Sequence, residues 1–365
     1  MATRAAAIDA TSVRAFTIPT DLPEADGTMA WHKTTLVVVE LTAGGQTGLG
    51  YTYADASLVP LIRETLAPTI ATLDAYDIPR LNATLWGAVR NLGRSGMAAC
   101  AISALDIACW DLKARLLGLP LALLLGRRRN AVPVYGSGGF TTYDDRTLEA
   151  QLSGWVERNG CRAVKMKIGS EPSRDPARVR VARRAIGDAA LFVDANGAFD
   201  PRGALRMAEK LEGSGVTWFE EPVSSDDRAG MAHVRTHIGV EMDVAAGEYS
   251  YTIDDTRMML EAQATDVQQV DITRAGGVTG FLQAANLCDA YHIDTSAHCA
   301  PAAHLHAACA VPRLRNLEWF HDHVRIEQML FDGAPEAKDG MIRPDLSRNG
   351  HGLTLKTKEA EAYAV

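Results

Sequence analysis

The chain has 365 residues, 47% of them apolar and 22% charged, with a formal net charge of −8. That balance suits a soluble protein with a large core and argues against a nucleic-acid surface, which needs a clustered basic face. The six cysteines form no C-x-x-C pair, no basic-then-apolar leader opens the chain, and no run nears the roughly 20 apolar residues of a membrane span. The expectation is a reduced, cytoplasmic protein with no membrane partner. The densest basic stretches, residues 126–129 and 178–184, read as solvated faces.

The first third reads as an α+β module. Residues 34–42 (TTLVVVELT) are a β-branched run ending at Gly44-Gly45, and 48–53 restart extended structure, so a hairpin is expected. Helical periodicity follows over 58–73. Residues 97–117 are apolar almost all round at first, carry Lys113 and Arg115 near their end, and stop at Gly118-Leu119-Pro120, as a buried helix does. From residue 131 short apolar strands alternate with amphipathic stretches of roughly 10–15 residues, the signature of βα units. Strands are expected near 132–137, 162–168, 190–194, 216–220, 243–248, 267–271, 293–298 and 315–319. Helices are expected between them, for example over 202–213, 254–262 and 280–291. After about residue 330 the rhythm stops, and a polar tail over 345–365 is expected to return to the first module. The domains so read are a cap at 1–127, a barrel at 128–330 and a returning segment at 331–365.

Each apolar run closes on a polar residue: Lys167, Asp194, Glu220, Glu248, Asp271 and His298, with Glu318 ending the last. A regular ladder of this kind is what a parallel barrel produces when every strand delivers one side chain to the same mouth. Asp194, Glu220 and Glu248 can converge on one cation, and an oxygen-only ligand set selects Mg²⁺ over zinc. Lys165 and Lys167, two apart on one strand, face the same side. Beside a cation and each other their pKa values should fall toward neutrality, which would make a lysine a general base. Asp271 can fix the tautomer of His298 on the neighbouring strand, and Glu318 offers a further proton donor.

These residues together resemble the enolase superfamily and, within it, the mandelate racemase subgroup. The resemblance covers nearly the whole chain, including the helix AISALDIACWDLKARLL of the cap. It implies an α/β fold, a modified TIM barrel of (β/α)7β form with an α+β capping domain. It implies one Mg²⁺ per subunit on Asp194, Glu220 and Glu248, Lys167 facing the His298–Asp271 dyad, and Lys165 and Glu318 at the substrate carboxylate. Tyr53 falls near the substrate, and Asn196 is the other substrate candidate. Asp271 stands where muconate-lactonising and dipeptide-epimerising relatives carry lysine, and Glu248 where glucarate dehydratases carry asparagine. The activity implied is removal of the proton α to a carboxylate, giving an enediolate. Dehydration of a sugar acid to a 2-keto-3-deoxy acid is the favoured outcome, with racemisation, epimerisation or cycloisomerisation the alternatives. A small-molecule carboxylate partner and a homo-oligomer are implied too.

Specificity is expected from cap loops at 21–31 and 51–55, the first acidic and suited to hydroxyls rather than a second carboxylate. Asp294 has the strand parity of His298 and is expected to point into the barrel. His321 and His323, just beyond Glu318, read as extending the site or hydrogen-bonding the rim, the rim reading favoured, and His304 and His306 as diverging helix positions. A zinc barrel built on these histidines would need no Lys167. A silent scaffold would need a missing ligand, and none is missing.

Overall fold

The computed structural model describes residues 5–365. Three antiparallel strands, β1 (Ala10–Ala25), β2 (Ala30–Ala43) and β3 (Gln46–Tyr53), form the cap sheet. The β2–β3 turn is Gly44-Gly45, with φ of 54° and 76°, the left-handed pair that a two-residue hairpin loop requires. Side chains alternate along β2. Val37, Val39 and Leu41 join the cap core while Leu36 and Val38 join the barrel-side core, so both faces are buried and the run reads as continuously apolar. The helix Met97–Leu116 lies so close to β3 that a Cβ on Gly50 would come 2.1 Å from the Ala104 carbonyl oxygen.

The predicted helix over 58–73 is Leu58–Ile70 with a π-helical middle, Leu61–Leu66. The long β1 and the helix Ile78–Ala88 were not expected from the sequence. β1 carries Pro19 and a register break between Pro19 and Glu24, which hides its period.

Eight parallel strands close the barrel: β4 (Val132–Gly138), β5 (Ala163–Lys167), β6 (Ala190–Asp194), β7 (Val216–Glu220), β8 (Asp243–Ala246), β9 (Val267–Val270), β10 (Asp294–Ala297) and β11 (Leu314–Phe320), with β11 pairing back onto β4. Inside, Tyr135, Phe192, Trp218, Ala245 and Val267 form an apolar plug. Two residues further along their strands, Phe192 gives way to Asp194 and Trp218 to Glu220, so the period of two lifts carboxylates onto the plug.

β12 (Phe331–Asp332) pairs with β14 (Thr354–Leu355), and β13 (Met341–Ile342) adds to β4. The chain end then meets the cap: Thr17 N–H donates to Tyr363 O at 2.8 Å and His351 Nε2 to Leu49 O at 2.6 Å. All six cysteines are buried and free. Among the described residues no helix is long and apolar enough to cross a membrane.

Two expectations change. Arg178 is no solvated residue but is 4% exposed, donating to the carbonyls of Lys167 (2.7 Å), Gly139 (3.1 Å) and Phe140 (2.9 Å), and so clasps the end of β5. Arg129 likewise caps the Ala308, Val311 and Pro312 carbonyls. Asp294 begins its strand at the barrel's other end, ion-paired with Arg315 at 3.1 Å, and Arg315 also holds Asp243. Parity identifies a strand's face but not the depth along it. Asp294 therefore belongs to the N-terminal rim, where stability rather than chemistry is set.

Candidate active site

Oxygens of Asp194, Glu220 and Glu248 lie within 4.8 Å of one another, all three residues buried. Asp194 and Glu220 end neighbouring strands in register. Glu248 follows Gly247, whose φ of 130° turns the chain inward; a Cβ there would strike the Gln269 carbonyl oxygen at 2.2 Å. The donor set suits a hard divalent cation: oxygen-only, anionic and convergent.

Two ammoniums border the triad. Lys165 pairs with Glu220, with Glu318 at 2.8 Å and with Asp194 at 3.4 Å. Lys167 pairs with Asp194 and donates to Asn196 Oδ1 at 3.0 Å. Burial alone would lower both pKa values. The carboxylates outweigh it, those of Glu220 and Glu318 for Lys165 and chiefly that of Asp194 for Lys167, and hold both lysines above the ordinary value. Burial and the neighbouring Asp194 push Glu220 up to about 8.

Across the mouth, His298 Nδ1 lies 2.8 Å from Asp271 Oδ2, while its Nε2 is 3.2 Å from Glu248 Oε2 and 3.5 Å from Glu318 Oε2. Burial opposes the imidazolium, but Cys299, Glu248, Glu318 and the Asp271 bond raise the His298 pKa well above its ordinary value. Asp271 is held well below the carboxylate range against its burial by His298 and Arg274. Glu318 accepts from Ser137 Oγ at 2.5 Å, from Lys165 and from Cys299 N–H at 3.2 Å. Lys165 and His298 hold it ionised despite burial, so it accepts in these contacts.

The cap closes over one side of this cluster. β1 and β2 meet in a hairpin tip at 26–29. A Cβ on Gly27 would lie 2.3 Å from Ala195 O and 2.6 Å from Ile168 O, so the tip rests directly on the ends of β5 and β6. Tyr53 stacks on His323 at 3.4 Å between ring centroids and donates to its carbonyl at 3.3 Å.

Residues 10–126 match the family described as mandelate racemase / muconate lactonizing enzyme, N-terminal domain, and residues 147–360 match the enolase C-terminal domain-like family. The chain belongs to the mandelate racemase/muconate lactonizing enzyme family. Its L-talarate/galactarate dehydratase relative from Salmonella typhimurium is 33% identical over 329 residues, spanning 88% of this chain and 80% of that protein. A mandelate racemase/muconate lactonizing enzyme-like structure from Rubrobacter xylanophilus superposes with a TM-score of 0.96 at 48% identity, covering 98% of this chain and 100% of that one. A racemase from Streptomyces coelicolor, solved with bound magnesium, gives 0.92 at 30% identity over 98% and 100% of the two chains.

Three histidines outside the dyad serve the backbone. His323 Nδ1 accepts from Ala300 N–H at 3.2 Å, His304 Nε2 from Ile272 N–H at 2.9 Å, and His306 Nδ1 from Ala122 N–H at 3.1 Å. Among the described residues none of these three joins a metal-competent cluster, whereas His321 does with Asp21 and Glu24, and His298 does with Cys299 and Glu318. Three residues escaped the sequence reading. Arg274 reaches Glu248 Oε1 (3.3 Å) and Asp271 Oδ2 (3.5 Å) and lies over the Tyr249 ring. Cys299 Sγ sits 3.4 Å from His298 Nε2. Glu221, buried with φ of 37°, turns back toward the triad where strand parity alone would point it away. Only Arg274 left a signal, three residues after Asp271.

Proposed function

We propose that this chain is a Mg²⁺-dependent lyase or isomerase that removes the proton α to a carboxylate. Its substrate class is a sugar acid, dehydrated to a 2-keto-3-deoxy acid. The observation that carries this reading is the flanking of the triad. Lys167 meets it at Asp194 and His298 meets it at Glu248, so two proton-handling groups contact one anionic centre at different carboxylates. Asp194, Glu220 and Glu248 would hold Mg²⁺, which when bound supplies an anchor and positive charge for the substrate carboxylate.

The rest of the work falls to the chain's own side chains. One of Lys167 and His298 takes the α-proton, and the other either protonates the departing β-hydroxyl or returns a proton to the opposite face. Lys165 gives a fixed ammonium beside the carboxylate oxygens where charge develops, and Glu318, held ionised, orients Lys165. Asp271 keeps the His298 Nδ1 proton in place so that Nε2 faces the reactants. Asn196, bonded to Lys167, and Tyr53, at the cap seam, are assigned to the substrate. The cap segment 21–31, which carries no Lys or Arg, favours a hydroxylated tail over a second carboxylate.

Inversion is the second reading. The same opposed pair serves a racemase if both groups reach the α-carbon, and the Streptomyces coelicolor neighbour is described as a racemase. A library of mono- and diacid sugars with Mg²⁺ separates the two, reading 2-keto acid and α-proton exchange in D₂O in parallel. Keto acid from one configuration supports dehydration. Exchange or inversion without keto acid moves the assignment to racemase or epimerase. No response to any sugar acid, with metal bound, overturns the substrate class.

A further inference from the structure

Asp21, Glu24 and His321 meet where the cap's first strand crosses the barrel. Each offers one ligand atom, and the three atoms lie within 4.8 Å of one another. His321 opens the helix His321–Leu330, directly after β11, and its Nε2 is 3.0 Å from both oxygens of Asp21. Glu24 Oε2 accepts the Trp31 indole N–H at 2.7 Å. Glu24 Oε1 has no hydrogen-bond partner among the described residues, although Glu24 is only 1% exposed. A buried carboxylate oxygen left without a partner is costly and calls for one.

Charge points the same way. The negative charge of Asp322 acts on Glu24 as well. Arg325 Nη2 donates to Asp322 at 2.6 Å and to the Pro19 carbonyl at 2.7 Å, and its Nε has no partner among the described residues. An imidazole and two carboxylates form the mixed nitrogen–oxygen set that zinc and manganese accept, unlike the oxygen-only triad.

We propose that Asp21, Glu24 and His321 form a second cation site, which takes a divalent ion of the zinc or manganese class and clamps the cap to the barrel. Trp31, bonded to Glu24 Oε2, orients that ligand. The clamp lies on the segment that leads into the Gly27 hairpin tip, so occupancy fixes the tip on the ends of β5 and β6.

The test uses the full chain, stripped by chelation and refilled with excess Mg²⁺. Co²⁺ is then titrated, reading its visible absorption and the calorimetric stoichiometry. The expected result is one Co²⁺ per chain that Zn²⁺ displaces, that persists in Glu220→Gln, and that weakens at least about ten-fold in Asp21→Asn and in His321→Asn. Amide exchange at 26–30 should slow on adding Co²⁺ to the parent and stay unchanged in Asp21→Asn. Asp21 has a side chain 43% exposed, so its replacement leaves the fold in place. Absence of Co²⁺ binding under Mg²⁺, or binding that Asp21→Asn and His321→Asn leave intact, overturns the site in favour of a plain ion pair.

Discussion

Asp271 holds His298 by one oxygen and its own loop by the other: Oδ2 is 2.8 Å from His298 Nδ1, and Oδ1 accepts both the N–H and the hydroxyl of Thr273 at 2.7 Å. The carboxylate cannot rotate without losing two bonds, so the ring orientation is set by the backbone after β9. Asp271→Asn keeps the shape but can present an amide N–H to Nδ1, which places the ring proton on the wrong nitrogen. We expect kcat to fall about 10²–10⁴-fold with little change in Tm. A variant within three-fold of the parent would show that the tautomer is not held this way.

Lys167 and His298 should separate under isotope exchange. Lys167→Ala and His298→Asn are each expected to lose net turnover by at least about 10²-fold. The variant that keeps the base should still wash the α-proton into D₂O, and the other should not. NMR of the α-position in both variants decides which residue is the base, and full activity in either removes the assignment.

Arg274 ties the two halves of the site, since it touches both Glu248 and Asp271. Arg274→Met keeps much of the side-chain bulk and removes the charge from two buried carboxylates. The expected result is a drop of roughly 10–100-fold in Mg²⁺ affinity together with a lower kcat. Calorimetric Mg²⁺ titration of parent and variant checks it, and an unchanged dissociation constant would confine Arg274 to packing.

Gly27→Val tests the cap closure. The added side chain would meet the Ala195 and Ile168 carbonyl oxygens well inside contact distance, so the hairpin tip must lift. Because the tip is exposed and small, KM should rise several-fold while Tm moves little. Unchanged KM for the best substrate would place the tip outside the binding path.

The barrel was legible because most of its strands close on or just before a polar residue, which on β6 and β7 has the parity of the apolar plug, as Phe192 and Asp194 or Trp218 and Glu220 do. The cap was legible in its hairpin and its buried helix, where β-branched and alanine-rich runs leave one choice. What stayed hidden depends on the chain folding back on itself. Arg178 looked like one of a basic run until its guanidinium was seen on three carbonyls of neighbouring strand ends. Asp294 had the right face and the wrong depth. Glu221 was masked by a left-handed turn that no residue type announces.

Glu327 gives the protein a pH-dependent stability term. It is 1% exposed, accepts from Tyr51 Oη at 2.5 Å and from Ala302 N–H at 3.0 Å, and burial pushes its pKa up to about 8. The unfolded chain releases this proton near 4.5, so between about 4.5 and 8 the folded state binds more protons than the unfolded one. Stability from this group is fully present below 4.5 and declines as the pH rises to about 8, by up to a few kcal/mol. Glu327→Gln cannot titrate and gives up one of the two accepted bonds, costing about 1 kcal/mol at low pH. The variant should therefore be less stable than the parent at pH 5, and the difference should shrink or reverse at pH 8.5. Denaturant unfolding of both proteins at the two pH values measures it, and a gap that stays constant would mean that Glu327 is ionised in the fold.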